Sequence, residues 1–262
     1  MSSPFIFRTA TASHVGKVRE VNEDRLLARP EVGLWAVADG MGGLGGGDLA
    51  SGAAIAALAT IASGESAAEL LAQFEDRIVG VNAELRALAT ARSTWAVGTT
   101  IAAILIRGAH YACVWCGDSR VYLLRESTLT QISRDHSEVQ DLIDLGVLEP
   151  HEARTWPRRN VITKALGVAD QAALDIRDGP ILAGDRFLLC SDGLTNHVED
   201  IEIAALLAAD DPEKACARLI TLTLQRGASD NVSVVIVACD HDTQTTRFDS
   251  TASFVPDRGI GG

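Results

Sequence analysis

Positive charge is what this chain has least of. Lys and Arg number 23 against 35 Asp and Glu in 262 residues, a formal charge of −12. A face that neutralises nucleic acid or an anionic membrane needs the opposite balance, so neither is expected as a partner. Long apolar runs are missing as well. The longest nearly apolar stretch, Gly52 to Ser63, is too short and too Ala-rich to span a bilayer and reads as an interior helix. The Met1 to Ala12 stretch lacks the apolar centre of a signal peptide. Cysteines are limited to Cys113, Cys116, Cys190, Cys216 and Cys239, with a single Cys-x-x-Cys spacing. A zinc knuckle needs a second such pair, and a thioredoxin-like pair sits at a helix start, whereas this one lies in the strand-like "HYACVWCGDSR". Buried free thiols in a cytoplasmic protein are the expectation. The glycine-rich "DGMGGLGGGD" lacks the Lys-Ser/Thr ending of a P-loop and the acid of a dinucleotide fingerprint, which argues against nucleotide binding.

What is present is 47% hydrophobic residues and 22% charged ones, enough for one large domain or two small ones. Phe5 to Ala10, Asp24 to Ala28 and Leu34 to Ala38 read as strands, followed by two helical stretches up to "LRALATAR". Four β-like runs then come in succession, with Gly117-Asp118 and Glu126-Ser127 as breaks between them. From His136 to about Ala165 the chain turns polar, with short helical pieces, and reads as an insertion lying over the domain. "ALDIRD" and "DRFLLCSDG" return to strands, two helices with acidic first turns follow, and "NVSVVIVAC" is a last strand. Strands followed by helices, twice over, describe an α+β fold of antiparallel sheets covered by helices. The expected domain runs over residues 5–240, with a disordered tail over 241–262.

Function enters through "GLWAVADGMGG", where an apolar strand ends on Asp39 and then loses its side chains. An isolated Asp-Gly is a turn. The pattern recurs, however: Asp118 follows "YACVWCG", Asp192 follows "FLLCS", and Asp230 stands just before "NVSVVIV". Four carboxylates at the ends of apolar strands are expensive unless they share a cation. Oxygen donors without His or Cys suit Mg²⁺ or Mn²⁺. Two such ions about 3.5–4 Å apart would hold a hydroxide between them and clamp a phosphoryl group. An acidic protein thereby attracts phosphate only where it holds metal. In "GKVREVNEDR", Arg19 can grip phosphate oxygens, and Glu23 and Asp24 can orient metal-bound water.

"VREVNEDR", "AVADGMGG", "VGTT", "GDSRVY", "RDHS", "NVITKALG", "LLCSDGL" and "ASDNVSVVIV" together resemble the ordered motifs of the PPM/PP2C family of metal-dependent serine/threonine protein phosphatases, in its bacterial single-domain form. The resemblance covers Thr9 to Cys239. It implies a four-layer α-β-β-α sandwich with the metal centre at one end. It further implies that Asp39 bridges the two core ions and that the Gly40 carbonyl reaches the second. By the same resemblance Asp192 and Asp230 complete the first ion's side-chain ligands, and Asp118 with Asp192 holds a third. Glu23 and Asp24 would act through water, Arg19 would bind phosphate, and residues 137–165 would form a flap beside the site.

Several positions depart from the family pattern. Met41 stands where eukaryotic members have a His proposed as general acid, Trp156 where bacterial relatives often have His, and Leu44 and His14 replace a commoner His and Asp. Leaving-group protonation therefore falls to water at the Asp118 site. His136 reads as a structural hydrogen-bonding residue. Arg158 and Arg159 form a basic spot open to an acidic or phosphorylated partner, or are simply a solvated helix end. Thr243, Thr245 and Thr246 read as part of an inert tail. The resulting expectation is a cytoplasmic, monomeric phosphatase acting on phosphoserine and phosphothreonine by a metal-activated bridging hydroxide, with phosphorylated proteins and a bacterial Ser/Thr kinase as partners. A silent phosphatase-fold module that binds phosphoproteins is the alternative.

Overall fold

Continuous apolar runs such as Leu34–Ala38 and Val234–Cys239 mark strands covered on both faces, because a strand with one wet face would alternate. In the computed structural model, which describes residues 5–42, 45–64, 66–92 and 97–241, these runs become β3 (Leu34–Met41) and β11 (Val232–His241) at the heart of two antiparallel sheets. One sheet has the order β1 (Phe5–His14), β11, β10 (Arg186–Cys190), β7 (Arg120–Arg125), β8 (Thr128–Gln131). The other has the order β2 (Asp24–Arg29), β3, β5 (Ile101–Arg107), β6 (His110–Cys116), β9 (Asp175–Pro180), with the two-residue β4 (Gly98–Thr99) on the end of β3. The tail 242–262 and Leu44 lie outside the described residues.

Three apolar layers hold the sandwich together. Trp35, Val37, Ile104, Phe187, Val235 and Val237 pack between the sheets. Residues of α1 (Gly46–Ala59) and α2 (Ala67–Ala91) pack on the outer face of the β3 sheet. Those of α5 (Asp200–Ala209) and α6 (Pro212–Gln225) pack on the outer face of the β11 sheet. This is the expected four-layer α-β-β-α sandwich. Period-two alternation explains the thiol pair: Cys113 faces the inter-sheet layer and Cys116 the helix layer, so they point apart. All five cysteines are free and buried, and burial pushes the Cys116 thiol up to about 12.

Local signals set the element ends. Ser66 caps α2 by accepting from the Glu69 amide, and Asp211 caps α6 by accepting from Lys214, with Pro212 in its first turn. Glu126 and Ser127 both take positive φ, 49° and 67°, in the two-residue loop between β7 and β8. That is the hairpin conformation matching the strand twist. Between β8 and β9 the chain makes an excursion carrying α3 (Glu138–Asp144) and a 3₁₀ turn over Pro150–Thr155. Its two ends are tied by a Ser137–Ile162 bridge and by Thr163 N–H donating to the His136 carbonyl at 2.8 Å. The remaining short helix, α4 (Asp192–Thr195), directly follows β10.

The structure corrects one expectation: β3 does not end at Asp39. It runs on to Met41, with Gly40 opposite Thr99 and Met41 opposite Gly98. The glycine at 40 serves close packing, not a turn, since a Cβ there would collide with the Gly47 carbonyl at the start of α1. As a check on the inter-sheet layer, Phe187→Ala is expected to cost about 3–5 kcal/mol in urea unfolding, because Phe187 is fully buried. Ile201→Ala, at a side chain 76% exposed, should stay within about 0.5 kcal/mol.

Candidate metal centre

Asp24 opens β2 and lies directly opposite Asp39 on β3. Two carboxylates at paired positions repel, which the sheet tolerates only with compensation. Part of it comes from the other sheet. Ser191, the last residue before Asp192, donates its hydroxyl to Asp24 Oδ2 at 2.7 Å and accepts the Ser233 amide at 3.0 Å. Asp192 is thereby brought across the sandwich to the Asp24–Asp39 pair. Asn196, one turn along α4, donates to Asp192 Oδ2 at 3.0 Å. Gly193 is required beside it, since a Cβ there would strike the Asn231 carbonyl.

Asn231 organises the opposite side. Its amide donates to the carbonyls of Val15 and Val21 at 2.9 and 3.0 Å, and its Oδ1 accepts the Glu23 amide at 2.8 Å. One side chain thus pins the loop carrying Arg19, Glu23 and Asp24 to the start of β11, next to Asp230. Arg19 Nη2 donates to Asp230 Oδ2 at 2.8 Å. Glu23 Oε1 accepts the Asp48 amide in the first turn of α1 at 3.3 Å, where a helix favours negative charge.

Asp118 sits in the loop between β6 and β7, and that loop is held on both sides. Ser119 and Thr100 share a hydroxyl hydrogen bond at 2.7 Å, and Thr100 Oγ1 also accepts the Asp39 amide at 3.1 Å. From the other side His136 Nδ1 accepts the Gly117 amide at 3.1 Å, while its Nε2 lies 3.1 Å from Asp175 Oδ2. His136 is therefore a brace. Behind Asp118, Arg120 grips Asp135 with Nε at 2.9 Å and Nη2 at 2.6 Å, and it donates to the Tyr122 hydroxyl at 2.9 Å. Sequence reading singled out the carboxylates but missed Ser191, Asn231 and Thr100. Their signal lay in the neighbouring letters of "CSD", "SDN" and "VGTT", where short polar residues interrupt apolar strands.

The acidic groups share one field. Burial first, then the charges of Asp24, Asp192, Asp118 and Asp230, holds the Asp39 carboxyl well above the usual carboxylate range. Burial, followed by Asp192 and Asp135, does the same to Asp118. Asp24 is pushed up to about 6, chiefly by burial, against the Ser191 and Ser233 hydroxyls that favour its charged form. Asp192 also rises to about 6, from burial and then from Asp230. The sequence-predicted carboxylates are thus gathered at one place, with Gly40 beside them. Asp24 Oδ1 is buried without a hydrogen-bond partner. An orphaned carboxylate oxygen among uncompensated acids fits a hard divalent cation with its water. Among the described residues no group of three or more His, Cys, Asp or Glu side chains is placed so as to hold a metal ion by direct contact.

Asp118 and Asp192 line a pocket of about 110 Å³, and Arg154, Arg159 and Asn160 line it as well. Trp156 and Met41 supply no proton donor to the carboxylates among the contacts present.

Residues 12–230 match the family described as Protein phosphatase 2C. The serine/threonine protein phosphatase PstP of Mycobacterium tuberculosis is 40% identical over 245 residues, which are 92% of this chain and 47% of that protein. The chain thus spans about half the length of that relative. The serine/threonine phosphatase stp of Listeria monocytogenes is 34% identical over 236 residues, 86% of this chain and 93% of the relative. Among solved structures, PppA of Pseudomonas aeruginosa, described as a key regulatory component of T6SS, superposes with a TM-score of 0.84 at 41% identity, covering 89% of this chain and 97% of that one. The catalytic domain of PstP with two manganese ions gives 0.80 at 39% identity, over 90% and 99% of the two chains.

Carboxyls raised on folding make the folded state bind protons more tightly than the unfolded one. Their stabilising effect is full below the ordinary Asp range near 3.8 and is lost as pH rises past about 6. Metal-free protein should therefore lose thermal stability between roughly pH 4 and 7. Asp24 alone, 2% exposed, accounts for something on the order of 3 kcal/mol. Mn²⁺ at pH 7.5 should restore several degrees of Tm in scanning fluorimetry. Asp39→Asn should raise the metal-free Tm and shrink the Mn²⁺ gain.

Proposed function

The chain belongs to the protein phosphatase 2C family, and from that premise we propose that it is a metal-dependent hydrolase removing phosphate from phosphoserine and phosphothreonine in proteins. The observation that carries this reading is the shared field of Asp39, Asp24, Asp192, Asp118 and Asp230 at one end of the sandwich. Its counterpart is Arg19, the arginine tied to that cluster through Asp230.

In this reading Asp39 and the Gly40 carbonyl would hold the two core ions, Asp192 and Asp230 would complete the first, and Asp118 with Asp192 would hold a third. When bound, Mn²⁺ or Mg²⁺ supplies a nucleophile from water at neutral pH and a positive seat for the phosphoryl oxygens. The chain's own residues do the rest. Asp24 and Glu23 accept hydrogen bonds from water at the centre, which fits the unpartnered Asp24 Oδ1. Arg19 uses one Nη on Asp230, leaving the rest of its fork for phosphate oxygens. Asn231 and Ser191 hold these groups in register, and the excursion over 137–165 acts as the flap. One water is consumed: its oxygen forms the new bond to phosphorus, the P–O bond to the Ser or Thr oxygen breaks, and that oxygen takes a proton from water at the Asp118 site. A protein substrate phosphorylated by a Ser/Thr kinase is the natural partner, in keeping with the relatives' names.

Hydrolysis of p-nitrophenyl phosphate with Mn²⁺, abolished by EDTA and by Asp39→Ala or Asp192→Ala, is the expected result. Activity persisting in EDTA or in either variant would contradict the mechanism, and no hydrolysis under any metal would favour a silent phosphoprotein-binding module. Arg19→Ala should raise KM with a smaller change in kcat, a loss of about tenfold or more in kcat/KM, as befits a removed charge-assisted contact.

A further inference from the structure

The pocket beside the carboxylates is lined by groups of both charges. Asp118, Asp192 and Asn196 come from the carboxylate end of the sandwich, and Arg154, Arg159 and Asn160 come from the excursion over 137–165. Most arginines nearby are already engaged. Arg120 is locked on Asp135, Arg154 Nη1 reaches Glu199 at 3.1 Å, and Arg158 reaches Glu138 at 2.7 Å. Arg159 lines the pocket, yet among the described residues it forms no ion pair. Exposed arginines elsewhere, such as Arg8 and Arg218, find carboxylates. Such pairing is common in a chain of net charge −12, and Arg177 and Arg186 are engaged by carbonyls instead. The structure thus separates the basic pair of the sequence: Arg158 is a neutralised surface residue, and Arg159 is an unspent cation on a pocket wall.

We infer that this pocket takes an anionic side chain flanking the reacting phosphoresidue, so that acidic or multiply phosphorylated segments are the preferred substrates. The inference rests on the phosphatase reading and specifies its substrate. A volume of about 110 Å³ equals that of three or four waters, enough for one carboxylate or phosphate group. Such a group accepts hydrogen bonds from the Arg159 guanidinium and the Asn160 amide. Without metal, Asp118 and Asp192 in the same lining repel a free anion in solution. An anion carried on a peptide already anchored by its phosphate is presented at high local concentration, and the Arg159 wall decides its placement. The two sources of that anion, a Glu or Asp side chain and a second phosphorylated residue, share the same recognition chemistry.

The test uses the full chain with Mn²⁺ and a set of phosphothreonine peptides. Each position within three residues of the phosphothreonine is varied in turn among Ala, Glu, Lys and a non-hydrolysable phosphonate. At one or more positions Glu or phosphonate should exceed Ala by about three- to tenfold in kcat/KM, through KM, with Lys below Ala. A gain with phosphonate alone assigns the pocket to a second phosphate, and a gain with both assigns it to anions generally. Arg159→Gln should flatten the series and Arg159→Glu should place Lys above Glu, while Arg158→Glu should keep the wild-type order. Ranking peptides within each variant removes any general change in activity. Equal kcat/KM across the set, or an unchanged order in Arg159→Glu, overturns the inference if p-nitrophenyl phosphate is still hydrolysed. Failure to hydrolyse p-nitrophenyl phosphate as well overturns the phosphatase reading together with it.

Discussion

Mutual repulsion among buried carboxylates is the constraint around which one end of this sandwich is organised. Burial, and then the charges of their acidic neighbours, raises the proton affinity of Asp39, Asp24, Asp192 and Asp118. A fold selected for stability alone would not gather them. The protein holds them with neutral hydrogen bonds and a few cations. Ser191 ties Asp24 to the opposite sheet, Asn231 pins the Arg19–Asp24 loop, and Thr100 and His136 clasp the Asp118 loop from two sides. Arg19 and Arg120 supply positive charge at the two ends of the row. The balance is incomplete, and a divalent cation is the chemistry that completes it.

The fold makes this arrangement possible because two sheets present strand ends at the same edge. β2 and β3 deliver Asp24 and Asp39 from one sheet, while β10 and β11 deliver Asp192 and Asp230 from the other. Apolar packing between the sheets supplies the rigidity that the charged end cannot provide for itself. Close backbone approaches at Gly40 and Gly193 let the segments meet without intervening side chains. The excursion over 137–165 then faces the row from outside, creating a pocket whose charge differs from that of the carboxylate floor. In the proposed reading, chemistry and choice of substrate belong to different elements.

How much of this could be read from the letters differs by residue. Strands buried on both faces announce themselves as unbroken apolar runs, so β3 and β11 were legible, as were the capped helices α2 and α6. The acidic residues stood out because a charge next to such a run is costly, and their motifs pointed to the family. The extension of β3 past Asp39 was not legible. Asp-Gly is ordinary turn chemistry, and only pairing with Thr99 and Gly98 keeps the strand going. Nor did "RR" reveal which arginine is neutralised, since Glu138 meets Arg158 only after the excursion folds back on itself.

The sequence by itself determined the fold class, the family and the oxygen-donor character of the centre. The first and last depend on residue type and local period, and the family on an ordered set of motifs, all of which the chain carries without reference to contacts between distant parts. Tertiary structure alone decided that Ser191 and Asn231 are the clamps, that His136 is a brace, and that Arg159 faces the pocket. Each of those roles is a contact between segments far apart in the chain, fixed only when both sheets have packed.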